Sequence, residues 1–203
     1  MIAIVDYGVG NLYSLASSLK SLGLAYLVTS EKQKLKDASH IILPGVGAFG
    51  DAAQKLRDTG LWPLLQEEAR NGKPFLGICL GMQLLFDKSF EYGEHEGLGL
   101  VPGTIEPLAP DLAQKDLKVP HIGWNSLQIV RDDPLFRYFE NGRHVYYVHS
   151  YYAKHCAEST LAVSEYSVPV TGAVRRGSVY GTQFHPEKSG AAGLCLLRAF
   201  SEM

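Results

Sequence analysis

The stretch from residue 74 to residue 86, PFLGICLGMQLLF, constrains the fold of this chain more than any other. Residues 75–78 are apolar and predict a buried strand, and residues 82–88 predict a helix. The turn between them carries the pattern Gly-x-Cys-x-Gly, which places a nucleophile, here Cys79, at a sharp bend between strand and helix. The glycines allow close backbone approach, and a helix N-terminus favours the thiolate. A free cysteine is more often a small buried apolar residue, so the pattern alone leaves both interpretations open.

A histidine near the other end of the chain supplies the second part of a catalytic pattern. Residues 178–184 predict a strand that ends just before His185, and Pro186 fixes a turn that keeps Glu187 close. A cysteine nucleophile needs a base, and the base needs a third group that orients its ring. A lone histidine or glutamate would be interpreted as structural or solvated. Together with Cys79, His185 and Glu187 predict a Cys-His-Glu triad.

Strands and helices alternate along the chain, which predicts an α/β fold with a mostly parallel, doubly wound sheet and flanking helices. Strands are predicted at residues 2–5, 25–29 and 40–43, and helices at residues 12–22, 51–58, 61–71 and 191–200. Between residues 98 and 174, short apolar runs separated by turn residues predict an inserted antiparallel strand region. A length of 203 residues favours a single domain, residues 1–203. In such sheets ligands bind at the carboxyl ends of the strands.

Composition excludes several classes of function. A net charge of -2 lacks the basic footprint of a nucleic-acid-binding protein. No apolar run reaches the roughly 18 residues that a membrane-spanning helix needs. Cys79, Cys156 and Cys195 have no C-x-x-C spacing, so neither a disulfide framework nor a metal site is expected; Cys195 is predicted to lie in the core and Cys156 to be incidental. With no signal-peptide pattern, the chain is expected to be cytoplasmic.

Residues 45–50, GVGAFG, match the G-x-G-x-x-G pattern of dinucleotide-binding proteins. The acidic residue that should hold the ribose, about 20 positions further on, falls at Glu67 and Glu68 within a predicted helix. The match also follows the third predicted strand rather than the first. We therefore expect no nucleotide cofactor. An oxyanion loop is favoured instead, because glycines let backbone N–H groups turn toward a developing negative charge.

Six segments together give the chain a resemblance to the class I, triad-type glutamine amidotransferases. These segments are IVDYGVGNL at residues 4–12, LPGVG at 43–47, GICLGMQLLF at 77–86, PHIGWN at 120–125, YYVHSY at 146–151 and QFHPEKS at 183–189. They run from the first strand nearly to the last helix. Within the family, the Gly-Trp-Asn, Val-His-Ser-Tyr and Asp-Tyr-Gly-x-Gly-Asn pieces resemble the glutaminase subunits of imidazole glycerol phosphate synthase, an enzyme of histidine biosynthesis.

The resemblance implies a role for each group of residues. The catalytic residues would be Cys79, His185 and Glu187; the oxyanion donors Val46 or Gly47 together with Leu80; the substrate-binding residues Gln83, Glu91, Tyr146 and Ser150; and the partner-interface residues Asn11, Trp124, Asn125 and Lys188. Glu91 would bind the α-amino group of glutamine. The implied partner is a (β/α)8-barrel cyclase that forms a heterodimer with this chain and uses its ammonia to make imidazole glycerol phosphate and AICAR.

Three alternatives remain open at this point. The same glutaminase chemistry could serve a different partner, in pyridoxal phosphate synthesis or a paralogous pathway. The chain could be a γ-glutamyl hydrolase or peptidase that acts alone, or a non-catalytic binding module on the same fold. His149 is a competing candidate for the base, and the weaker one, because His185 is paired with Glu187.

Overall fold

The computed structural model describes residues 1–113 and 117–203. Its α-helices are α1 (Leu12–Ser21), α2 (Lys32–Asp37), α3 (Phe49–Asp58), α4 (Trp62–Arg70), α5 (Leu80–Gln83) and α6 (Gly190–Ser201). Its strands are β1 (Ile2–Val5), β2 (Tyr26–Thr29), β3 (His40–Leu43), β4 (Phe75–Ile78), β5 (Lys88–Ser89), β6 (His95–Glu96), β7 (Thr104–Pro107), β8 (His121–Ser126), β9 (Gln128–Ile129), β10 (His144–His149), β11 (Tyr151–Lys154), β12 (Thr160–Glu165), β13 (Pro169–Arg176) and β14 (Val179–Thr182).

The main sheet has eight strands in the order β2-β1-β3-β4-β14-β13-β12-β9. Neighbouring strands from β2 to β14 pair in parallel. The remaining three strands pair antiparallel. The predicted α/β fold with a mostly parallel sheet is therefore confirmed. The antiparallel region is only partly an insertion, since β9, β12 and β13 extend the main sheet, while β8 with β10, and β5 to β7 with β11, form two small sheets.

Both faces of the parallel part of the sheet are covered. Along β1, Ala3 and Val5 pack into one core cluster, together with residues of α2, α3 and α4. Ile2 and Ile4 pack into the other cluster, together with residues of α1 and α6. Successive strand residues point to opposite faces, so a fully apolar strand such as β1 is what a sheet buried on both sides requires.

Two predictions about helices were wrong. The helix predicted over residues 82–88 is α5, which begins earlier and ends at Gln83. The chain returns there, and the N–H groups of Leu98 and Leu100 bind the carbonyls of Leu84 and Leu85 and end the helical pattern. In α6, Cys195 is only half-buried rather than in the core. The helix buries Ala192, Leu196, Leu197 and Phe200 instead.

No helix in residues 1–113 and 117–203 combines the length and the apolar character needed to span a bilayer.

Candidate active site

Cys79 lies in a strained turn at the carboxyl end of β4. Its φ is 54° and its ψ is -110°, a backbone conformation that costs a residue with a Cβ about 1–3 kcal/mol. Two hydrogen bonds hold the turn: Cys79 N donates to Thr182 O at 2.7 Å, and Gln83 N donates to Cys79 O at 3.0 Å. The bend predicted from the Gly-x-Cys-x-Gly pattern is therefore present, and it places the sulfur at the carboxyl end of the central strand β4.

Two glycines let this turn pack directly on the loop that follows β3, and a third lets the turn close. A Cβ on Gly45 would lie 2.7 Å from Gly81 N, and a Cβ on Gly81 would overlap the carbonyl oxygen of Leu43. A Cβ on Gly77 would lie 2.6 Å from Gly81 O, within the turn itself. The loop is thus held backbone against backbone beside Cys79, and a side chain at Gly45 or Gly81 would push it away.

His185 follows β14 and is held by Glu187. Nδ1 of His185 lies 2.8 Å from Oε1 of Glu187, and only 2% and 3% of the two side chains is exposed. A carboxylate accepts hydrogen bonds, so Nδ1 carries a proton. Nε2 of His185 is buried and has no hydrogen-bond partner among the described residues. It is therefore the ring nitrogen left to exchange a proton with Cys79 or with a bound molecule.

The electrostatics of the site favour a protonated His185. Burial lowers its pKa, but the interactions with Cys79 and Glu187 outweigh burial and raise the pKa to about 9. The ring is consequently an imidazolium at neutral pH, and a positive charge beside the sulfur stabilises a thiolate.

A pH prediction follows from this raised pKa. For the Cys-His-Glu triad predicted from the sequence, we expect kcat/KM to fall as pH rises through about 9, because His185 then loses the proton that a general acid must give to a leaving group. In Glu187→Gln the falling limb should move to lower pH, because a charge that raises the pKa of His185 is gone. The check is the pH–rate profile of both proteins, with Glu202→Gln as a control on an exposed carboxylate. Identical alkaline limbs in wild type and Glu187→Gln would contradict the assignment.

Cys79 and His185 line a common cavity of about 360 Å³, a volume suited to a small-molecule ligand. Its other lining residues are Val46, Gly47, Leu80, Gln83, Glu91, Pro120, Val148, His149, Ser150 and Tyr151. The structure thus brings the predicted nucleophile, base, oxyanion residues and three of the four predicted substrate-binding residues to one place. Pro120, Val148 and Tyr151 were not predicted, since nothing in their spacing marks them.

Tyr146, the fourth predicted substrate-binding residue, does not line this cavity. It lies on the same face of β10 as Val148, but two residues, or about 7 Å, further back along the strand. Its ring packs 6.0 Å from that of Trp124, and the Lys188 ammonium lies 5.8 Å from its centroid. Tyr146 therefore belongs with residues that were predicted for the partner interface.

Gln83, a predicted substrate-binding residue, has no amide hydrogen left to donate to a carboxylate. Its Nε2 donates to Tyr151 O at 3.1 Å and to Gln183 Oε1 at 3.0 Å, which uses both amide hydrogens. What remains is the acceptor Oε1. A ligand could meet Gln83 only through an N–H or O–H group.

Glu91 lies at the N-terminus of α3, where the pyrophosphate of a bound dinucleotide would have to lie. Its Oε2 accepts a hydrogen bond from Phe49 N, the first residue of α3, at 2.6 Å. Burial raises the pKa of Glu91, and this N–H group partly offsets that effect. The last glycine of the G-x-G-x-x-G match, Gly50, packs on His95, whose ring would lie 2.8 Å from an added Cβ. Packing thus accounts for Gly45 and Gly50, a φ of +97° accounts for Gly47, and the helix terminus is taken by a carboxylate.

We accordingly expect the loop to bind no nicotinamide or flavin nucleotide, because Glu91 would repel the pyrophosphate. Calorimetric titration with these cofactors should show no saturable heat. A micromolar dissociation constant, roughly -8 kcal/mol, would contradict this interpretation.

His149 lines the cavity, but both of its ring nitrogens are engaged. Nδ1 lies 2.9 Å from Tyr151 O, and Nε2 lies 3.0 Å from Nδ1 of His121. Burial, followed by the neighbouring His121, lowers the pKa of His149 to about 3. This geometry leaves His185, rather than His149, with a free nitrogen for proton transfer.

The predicted interface residues lie in differing environments. Trp124 is 55% exposed and its strand neighbour Ile122 is 59% exposed. Lys188 is exposed. Asn125 is instead tied into the protein, because its Nδ2 donates to Glu165 O at 2.9 Å. Asn11 caps α1 by accepting a hydrogen bond from Ser14 N.

Metal-ligating side chains do not converge in the described part of the chain. Among its residues there is no group of three or more His, Cys, Asp and Glu side chains that could hold an ion.

Comparison with known proteins decides the family. Residues 3–200 match the family described as glutamine amidotransferase class-I. The chain belongs to this family. Among curated amidotransferases it is 50% identical over 203 residues to "Imidazole glycerol phosphate synthase subunit HisH" of Geobacillus kaustophilus (strain HTA426), covering 98% of this chain and 95% of the relative. It is 47% identical to the subunit of the same name from Listeria monocytogenes (strain ATCC BAA-679 / EGD-e), covering 100% and 96%.

Solved structures share the fold at low sequence identity. One described as glutamine amidotransferase superposes with a TM-score of 0.76 at 21% identity, covering 100% of this chain and 98% of that one. PurLQS from Thermotoga maritima gives a TM-score of 0.75 at 21% identity, with coverage of 99% and 97%.

Proposed function

We propose that this amidotransferase is the glutaminase subunit of an imidazole glycerol phosphate synthase and acts in histidine biosynthesis. The observation that carries the proposal is the arrangement around one cavity: Cys79 in a strained turn, and His185 with Nδ1 on Glu187 and Nε2 unpartnered. It occurs in a chain about half identical to subunits of that name. We further propose that residues 1–203 form one domain, since both core clusters share the main sheet.

In this mechanism the thiolate of Cys79 attacks the side-chain amide carbon of glutamine. The new C–S bond pushes negative charge onto the amide oxygen, where the backbone N–H of Leu80 and that of Val46 or Gly47 stabilise it. His185 gives the proton on Nε2 to the leaving nitrogen, the C–N bond breaks and ammonia departs. Water, deprotonated by His185, then cleaves the thioester and releases glutamate.

The pocket walls fit this substrate. Glu91 contributes a carboxylate for the α-amino group, and the free Oε1 of Gln83 can accept from an N–H group. Ser150 adds a hydroxyl at the wall. These assignments complement the α-ammonium group and the side-chain amide of a small substrate.

A partner chain completes the function. The names of the relatives describe a subunit of a synthase, and ammonia released into solvent would be protonated and lost. We propose a (β/α)8-barrel cyclase as the acceptor subunit, docked on the surface that carries Trp124, Tyr146 and Lys188, with Asn11 and Asn125 at its margin. Exposed aromatic and apolar side chains such as Trp124 and Ile122 are typical of an interface core.

Isotope transfer tests this function. The chain is mixed with a barrel cyclase, its nucleotide substrate and glutamine that carries heavy nitrogen in its side-chain amide, in an excess of unlabelled ammonium. Heavy nitrogen in imidazole glycerol phosphate is the expected result, read by mass spectrometry. Product labelled only to the level of the bulk ammonium, or rapid glutamine turnover that the cyclase does not change, would favour a hydrolase that acts alone.

A further inference from the structure

Gln183 is fully buried and directs its side chain at the reactive sulfur. It follows β14, and its backbone N–H is fixed on Gly172 O at 2.9 Å. Its exposed fraction is 0%, and its Nε2 lies 3.8 Å from Sγ of Cys79. The sulfur therefore faces a carboxamide as well as the ring of His185.

The contacts of Gln183 determine which end of its amide faces the sulfur. Tyr151 O can only accept a hydrogen bond, so the end of Gln83 at 3.1 Å from it must be the nitrogen. That same nitrogen lies 3.0 Å from the amide of Gln183, which must therefore present its oxygen. The nitrogen of Gln183 is then the end beside Cys79. That Gln183 donates to the sulfur therefore follows from its hydrogen-bond partners, and no hydrogen position has to be known.

Two histidines, His149 and His121, continue this series of hydrogen bonds on the other side of the Tyr151 carbonyl. Nδ1 of His149 must donate to Tyr151 O, so Nε2 of His149 accepts from Nδ1–H of His121. Nε2 of His121 then accepts from Nδ2 of Asn125 at 3.3 Å. The aromatic rings of Tyr147 and Tyr166 stack on the two faces of His121, with centroids at 4.7 and 3.9 Å.

Both histidines are neutral, because Nε2 of each ring accepts a hydrogen bond and therefore carries no proton. Burial lowers the pKa of His121 to about 4, and burial together with His121 lowers that of His149 to about 3. Tyr151 O thus accepts from both sides, from Nδ1 of His149 and from Nε2 of Gln83. The Gln183 amide cannot rotate without breaking its bond to Gln83.

We propose that Gln183 is a positioning residue that donates a hydrogen bond to the sulfur of Cys79 and so holds the thiolate within reach of His185 for proton transfer. The proposal rests on the proposed function in taking Cys79 as the nucleophile. A donor to a charged acceptor makes a stronger hydrogen bond than one to a neutral acceptor, so this contact favours the thiolate over the thiol.

The test measures the sulfur directly. Full-length chain is alkylated with iodoacetamide across a range of pH, and the modification of the Cys79 peptide is followed by mass spectrometry. In Gln183→Met, which keeps the length but removes the donor, we expect the pH of half-maximal alkylation rate to rise by about one unit, which lowers the thiolate fraction up to about tenfold on the acid side of the transition. On that acid side the kcat for glutamine should fall by up to the same factor, with KM little changed.

Two further proteins make the result decisive. Gln183→Glu keeps an oxygen for Gln83 but places a negative charge by the sulfur, so its profile should shift at least as far in the same direction. Gln66→Met is the matched control, because Gln66 donates to the remote Leu98 O and its loss should leave the profile unchanged. Wild-type profiles in both Gln183 variants, with unchanged thermal unfolding, would overturn the proposal. A failure of the proposed function is distinguishable, since wild type would then show no glutamine turnover while the alkylation profiles would still respond to Gln183.

Discussion

Replacement of Cys79 by Ser or Ala is expected to lower glutaminase activity by at least about a thousandfold, the scale seen when a covalent nucleophile is removed. The thiolate forms the only covalent bond to the substrate in this mechanism. A serine hydroxyl in its place would not ionise beside His185. Steady-state ammonia release in the presence of the cyclase is the measurement.

The fold should survive this change. The hydrogen-bond distances from Sγ of Cys79 to Val148 O and to Gln183 Nε2 are long, at 3.9 and 3.8 Å. Thermal unfolding of Cys79→Ser should therefore match wild type, and Cys195→Ser, on half-buried α6 surface, is the control expected to retain activity. Turnover near the wild-type rate in Cys79→Ser would exclude the triad.

The second large effect is expected from the partner. The loop after β3 has little freedom at Gly45, which packs on Gly81, whereas Gly47 has a φ of +97° and, among the described residues, no atom within 4 Å of where a Cβ would lie. The peptide that joins Val46 to Gly47 is thus the one with room to rotate. We hypothesise that it leaves the oxyanion site incomplete until the cyclase binds. One absent donor costs about 2.7–4 kcal/mol, roughly a hundred- to thousandfold in rate.

We therefore expect the isolated chain to hydrolyse glutamine poorly, and the cyclase loaded with its nucleotide substrate to raise kcat far more than it lowers KM. Lys188→Ala should weaken this activation, because Lys188 adjoins Glu187 and covers the ring of Tyr146. Steady-state kinetics with and without the cyclase provide the check. Full activity of the lone chain, or activation confined to KM, would end the gating hypothesis.

The features that could be predicted from the sequence are those determined by residues close together along the chain. The Cys79 turn and the His185–Glu187 pair are each specified within a few residues, as are the apolar strands β1, β3 and β4. The alternation of strands and helices was enough to predict the parallel sheet. Local glycines also marked the loop that lies beside Cys79, whose role in binding an oxyanion stays a prediction.

What could not be predicted depends on contacts between distant segments. The end of α5 is set by the returning residues Leu98 and Leu100, which no helical pattern reveals. Tyr146 is placed by the pairing of β10 with β8. Gln183 and Cys79 are 104 positions apart, and the orientation of the Gln183 amide depends on Gln83 and the carbonyl of Tyr151. A motif shows which residue types occur together, but not which end of an amide faces a sulfur.

The most direct test of the central claim is covalent capture of the nucleophile. The chain, in complex with the cyclase, is incubated with a glutamine analogue whose side chain carries an electrophilic carbon, and its peptides are mapped by mass spectrometry. If Cys79 is the nucleophile, one label is expected on Cys79. Excess glutamine should prevent this labelling, and labelling should abolish ammonia release. A label on Cys156 or Cys195, or full activity after Cys79 is labelled, would contradict it.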